Sequence, residues 1–185
     1  MYTFLLNAKG RISFDLFVYK ETDNDALLIE TESKWINALE STLKLYRLRR
    51  PIEIERSEFQ VYFSDVRPEN ESSAFPDPRV PNFGYRFLRK PEYSVKFNQN
   101  NGPSIDYLAR RLIWGIPEGE ELHQQLPLNM NGDIMNAISF TKGSINLIKN
   151  IIFKICLKSW QLKIFPIPWG SNIDGCGVEF GIIGG

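Results

Sequence analysis

The chain has 185 residues with 22 basic and 22 acidic side chains, so no global field favours nucleic acid or an anionic membrane. Its hydrophobic content of 43% is that of a folded domain with a real core, and a single histidine, His123, excludes a histidine metal cluster. Cys156 and Cys176 are far apart and read as reduced thiols, and no charge-free run of about 20 residues is present to span a membrane.

Tyr2 to Asn7 is apolar and β-prone, Ala8-Lys9-Gly10 supplies a turn, and Arg11 to Tyr19 alternates as a half-buried strand. In that second run Ile12, Phe14, Leu16 and Val18 share one face, and Ser13, Asp15 and Phe17 the other. A polar turn follows, and Ala26 to Thr31 completes a three-stranded antiparallel meander. Ser33 is placed to cap a helix running to about Tyr46, with Trp35, Ile36, Leu39, Leu43 and Tyr46 at helical spacing. Arg47, Arg49 and Arg50 then set positive charge where the helix dipole favours it.

Ile52 to Glu55, Phe59 to Phe63 and Gly84 to Leu88 read as further strands. Pro68 to Pro81, rich in proline, serine and acids, reads as a flexible loop, as does Asn98 to Pro103. Ser104 can cap a short amphipathic core helix carrying Tyr107, Leu108, Arg111 and Leu112. Sheet, helix and sheet in this order predict an α+β fold of antiparallel sheets with packed helices. From Ile145 to Phe165 apolar residues occupy every face, so neither helical nor strand periodicity is clean, and the end of the chain is glycine-rich.

Several short segments follow one another in a fixed order along the chain, with no internal repeat. They are Phe4 to Arg11 with Asp15, then Tyr46 to Arg50, Asp77-Pro78-Arg79 and Gly84-Tyr85-Arg86. Trp114-Gly115-Ile116-Pro117-Glu118-Gly119, Leu126-Pro127-Leu128, Met135 to Ser139 and Phe140-Thr141-Lys142-Gly143 follow. That order resembles the folate-binding YgfZ-like branch of the glycine-cleavage T-protein superfamily, in particular its mitochondrial iron–sulfur assembly members. Each segment alone is weak; their collinearity makes the match specific. Family members continue Lys-Gly-Cys-Tyr-x-Gly-Gln-Glu, whereas this chain has Ser144 after Gly143. Residues 1–143 are therefore expected to form a partial T-protein-like folate-binding region. Residues 144–185 are expected to be an aberrant tail from a truncated or mis-spliced product, with the family's first strands and C-terminal β-barrel absent.

The resemblance implies an accessory factor of the mitochondrial matrix, acting late in [4Fe–4S] cluster assembly with A-type carrier proteins as partners. No presequence is read at the N-terminus, so the compartment rests on the resemblance. Tetrahydrofolate is the implied cofactor. Asp15 occupies the place of the T-protein aspartate that hydrogen-bonds folate, and a carboxylate on a rigid strand can accept pterin N–H groups. Its alternative is a solvated acid on an outer strand face. Lys142 could neutralise a folate carboxylate or be an exposed turn residue. Asn129 stands where the family has a second acidic anchor, and Ser144 ligates iron poorly. The competing functions are a folate-dependent aminomethyl transferase and an inert fragment.

Overall fold

Residues 1–21, 26–47, 49, 51–68, 74–90, 107–138 and 161–167 are described by the structure, a computed structural model. Strands β1 (Tyr2–Leu6), β2 (Ile12–Lys20) and β3 (Ala26–Glu32) form the expected antiparallel meander. The first turn is built locally. The Asn7 side chain accepts hydrogen bonds from the backbone N–H of Lys9 (2.9 Å) and Arg11 (3.1 Å), and Gly10 takes φ 74°.

A bulge then resets the register, Leu5 pairing with Phe14 but Leu6 with Ile12, so that Ser13 is the extra residue. The expected grouping of faces is corrected here. Ile12 packs with Phe17 and Tyr19 in one core, whereas Phe14, Leu16 and Val18 belong to the other. β2 is buried on both faces rather than one, and Asp15 is 5% exposed. The reading of Asp15 as a solvated outer-face acid does not hold.

Ser33–Trp35 forms a single 3-10 turn ahead of helix α1 (Ile36–Arg47), which buries Leu39 and Leu43 against the sheet. The cap position falls on Glu32, not Ser33, and no side-chain capping bond forms there. Tyr46, at helical spacing with the core residues, is 46% exposed.

The larger sheet has the order β1-β2-β3-β8-β4, where β4 is Glu53–Arg56 and β8 is Gln161–Ile167. β8 runs parallel to both β3 and β4, making this sheet mixed. Its sequence gave no clean period because both of its faces are buried: Leu162 and Ile164 join the helix-side core and Phe165 the other. The second sheet, in the order β5-β7-β6, comprises β5 (Gln60–Ser64), β6 (Phe75–Pro76) and β7 (Tyr85–Arg89), all antiparallel. The fold is α+β, with two sheets and no closed barrel among the described residues.

Two further expectations are overturned. The supposed flexible stretch includes β6, and Asp77 and Arg79 within it are buried at 4% and 0% exposure. In α2 (Tyr107–Ile113) the faces are exchanged: Arg111 is buried, while Leu108, Leu112 and Ile113 are exposed. Both departures have one cause. These arginines find ionic partners inside, which composition alone cannot reveal.

Candidate functional site

Asp15 lies on the face of the meander turned toward the second sheet, in a core shared with Tyr2, Phe4, Phe17 and Tyr19. Tyr2 Oη donates to Asp15 Oδ2 at 3.3 Å. Burial, followed by the nearby Glu118 charge, pushes the Asp15 carboxyl up to about 6, against the lowering effect of the Gly119 backbone N–H and Arg79.

Around it stands a chain of alternating charges. Arg79 forks onto Asp77, with Nε to Oδ1 at 2.9 Å and Nη2 to Oδ2 at 2.8 Å. The same guanidinium reaches Tyr107 Oη (2.8 Å) and Glu118 (3.2 Å), and its Cζ lies 4.9 Å from the centre of the Phe17 ring. Tyr107 Oη donates to Glu118 Oε2 at 2.9 Å, and Arg111 Nε lies 3.3 Å from that oxygen. Arg111 also donates to Glu121 (2.8 Å) and to the Ile116 carbonyl (2.6 Å).

On the other side of Asp77, Arg86 joins Glu30, which also accepts from Tyr19 Oη. Burial raises the Glu30 carboxyl to about 7, with Arg86 and Tyr19 opposing. Burial alone would raise Asp77 too, but Arg79 holds it below the usual carboxylate range. The network ties the meander to the second sheet and to the segment after α2.

Glu32 and Gly119 complete the site. Gly119 has φ 57°, and a Cβ built there would stand 2.6 Å from Glu32 Oε2. Glycine takes this left-handed conformation without strain and leaves room for the Glu32 carboxyl, with its N–H turned to Asp15. Glu118 opens the turn, its N–H donating to Glu121 Oε2 at 3.0 Å and its side chain accepting the Glu121 N–H.

Asp15 does not line the open cleft of about 320 Å³ on the opposite, helix-side face, which Ser13, Phe14, Trp35, Tyr46 and His123 do. His123 stacks on Trp35 with ring centres 4.2 Å apart, and its Nδ1 lies 3.2 Å from the Ser13 carbonyl. Asn129 sits exposed on the short 3-10 segment Pro127–Met130. Lys142, Ser144, Cys156 and Cys176 lie outside the described residues.

Sequence reasoning named Asp15 but passed over Arg79, Arg86, Glu30, Glu32 and Glu118 as members of its surroundings. A signal was present. Asp77-Pro78-Arg79, Gly84-Tyr85-Arg86 and the turn ending in Glu118-Gly119, scattered over more than forty positions, converge on one buried polar cluster.

A two-sheet α+β body bound through such short, collinear segments is the class of protein seen here. The chain is 31% identical to the human mitochondrial iron–sulfur cluster assembly factor IBA57, over 77% of this chain and 46% of that protein. It is also 31% identical to the Neurospora crassa homologue of that factor, over 77% of this chain and 39% of the relative. The mouse factor matches at 31% over 77% and 46%. The chain thus spans less than half the length of the curated relatives it matches. No family model matches, and no solved structure matches. The chain belongs to the YgfZ/T-protein family, on the branch of the mitochondrial iron–sulfur cluster assembly factors.

Proposed function

We propose that this chain serves mitochondrial iron–sulfur cluster assembly as an accessory factor that binds a reduced folate through Asp15. The homology to mitochondrial assembly factors supports the process and the compartment. The observation that carries the binding role is the placement of Asp15. A carboxyl on a bulged inner strand keeps acceptor capacity beyond the Tyr2 hydroxyl and Gly119 N–H, within a wall of Tyr2, Phe4 and Phe17. Such a wall suits the flat, N–H-bearing pterin ring of tetrahydrofolate.

A side chain at position 119 would crowd the Glu32 carboxyl, whose Oε2 lies 2.6 Å from a Cβ built there. In this reading a ligand reaches Asp15 only once the site opens, because Asp15 is 5% exposed. When bound, the folate supplies a one-carbon carrier; Asp15 orients it by accepting ring N–H, and the aromatic wall excludes water. Lys142 neutralises the folate's glutamyl carboxylate. The iron–sulfur cluster is cargo, passed on through A-type carrier proteins.

Calorimetry tests the binding role. Tetrahydrofolate binds the wild-type chain, and Asp15→Asn weakens it by about tenfold or more, the loss expected for a charge-assisted hydrogen bond. Absence of heat with the wild type removes the folate assignment and leaves the homology untouched. Restoration of [4Fe–4S] enzyme activity in cells lacking their own factor tests the process.

A further inference from the structure

Helix α1 carries two uncharged stripes, and the sheet fully covers only one of them. Ile36, Leu39 and Leu43 pack on the core, whereas Trp35, Ala38, Thr42 and Tyr46, again three or four residues apart, line the open cleft of about 320 Å³. The charged flank of the helix lies elsewhere: Glu40 holds Lys44 and Arg56, and Arg47 donates to the Ile52 carbonyl at 3.0 Å. On the cleft side Ala38 is exposed, as are Tyr46 and its neighbour Leu45. A surface helix ordinarily sets charge on the side turned away from the core, so an uncharged second stripe beside a cleft is the mark of a contact surface.

The wall of the cleft is fixed in advance. Trp35 stacks on His123 and meets Phe14 edge-on with ring centres 6.5 Å apart, while the Ser13 carbonyl holds His123. Docking against aromatic rings already held in place costs little side-chain entropy. The cleft is at the small end of ligand cavities and open on one side, which suits an anchor side chain carried by a larger partner rather than an enclosed small molecule. Charge then narrows the partner. Among the described residues no acidic side chain lines the cleft. Next to Trp35, Lys34 and Glu120 neutralise each other at 2.6 Å. At the hairpin end, beyond Asn7 and Ala8, Lys9 and Arg11 are exposed. Arg11 reaches the Gln124 carbonyl at 2.9 Å, beside His123, and neither cation has a carboxylate partner among the described residues. The charge left uncompensated at the mouth is positive.

We infer that this cleft is a docking site for an acidic segment of a partner protein, which seats an aromatic or branched aliphatic side chain against Trp35 and sets its carboxylates beside Lys9 and Arg11. The cleft lies on the face of the larger sheet opposite Asp15, so the docking site stands whether or not a folate binds. A partner seated there leaves the buried ionic network untouched.

The test selects short random peptides displayed on phage against the purified full chain, then measures the enriched peptides, made synthetically, by fluorescence anisotropy. Enriched peptides are expected to combine acids with an aromatic or branched aliphatic residue and to bind more weakly as salt rises. Ala38→Glu, which sets a carboxylate in the cleft, loses about tenfold or more, and the equally large but neutral Ala38→Gln loses less. Lys9→Glu, on an exposed turn where no fold is at stake, loses about 3- to 10-fold. No enriched peptide, peptides without acids, or binding indifferent to both Ala38→Glu and Lys9→Glu would overturn the inference. Two other occupants are distinguished directly. Wild type that floats with vesicles of phosphatidylcholine and phosphatidylserine, and ceases to on Lys9→Glu, would assign the surface to lipid. A dimer in sedimentation that Ala38→Glu dissociates would assign it to a second copy of the chain. Either result replaces the acidic partner.

Discussion

The two faces of the larger sheet solve the same burial problem in opposite ways. Toward α1, strands β2 and β3 present Phe14, Leu16, Val18 and Ile29, closed over by Leu39, Leu43 and Ile52. That side is held mainly by apolar area, with Arg56 tied to Glu40 and Asn37 only at its exposed edge. Toward the second sheet the same strands present Asp15, Phe17, Tyr19 and Glu30, met by Arg79, Arg86 and Tyr107. An apolar face tolerates any shape-filling neighbour. A face carrying paired charges accepts only partners in register, because each ion left alone in the interior costs several kcal/mol. The helix side thus supplies stability, and the sheet-to-sheet side fixes which residues surround Asp15.

The strongest way to break this comparison is Arg79→Ala. It removes the forked partner of Asp77 and one of the two cations beside Glu118, and urea unfolding is expected to show a loss of about 3–5 kcal/mol. Leu39→Ala, fully buried on the apolar side, is expected to cost about 3 kcal/mol by the same measurement. The double variant sums the two within about 0.5 kcal/mol, since the clusters lie on opposite faces of the sheet. A large departure from additivity would mean that the faces are not independent.

A finer test uses pH. The folded Asp15 titrates near 6 against 3.8 for its unfolded reference, so the folded state binds the proton more tightly. The stabilisation from the protonated form is complete below the unfolded value and disappears as pH rises from about 4 through 6. Asp15→Asn, which cannot ionise, therefore gains on wild type across that window, by up to about 3 kcal/mol at the top of it. Melting temperatures of both proteins at half-unit steps check the sign. A variant that gains instead as pH falls would show that Asp15 is stabilised as the carboxylate.

Much of the first third of the molecule was legible along the chain. The meander follows from β-prone runs separated by Asn7-centred and acidic turns, and α1 from an apolar stripe at helical spacing. The bulge at Ser13 was not legible, because a single unpaired residue leaves no mark on composition and yet rotates Ile12 to the other face. Arg79 and Arg111 were hidden for a related reason. A buried arginine and an exposed one have the same local sequence, and only the distant Asp77, Glu118 and Glu121 make the difference. Asp15 was found through its motif; Glu32 was missed because a glutamate entering a helix reads as surface charge.

By itself the sequence determined the α+β class, the antiparallel start and the family, because each depends on local period or on collinear segments. Only the tertiary structure decided that β8 enters parallel between β3 and β4, and that charges scattered from Asp15 to Glu121 face one another. Pairing between strands far apart in the chain, and between buried ions, is a property of their meeting in space. No single segment carries it.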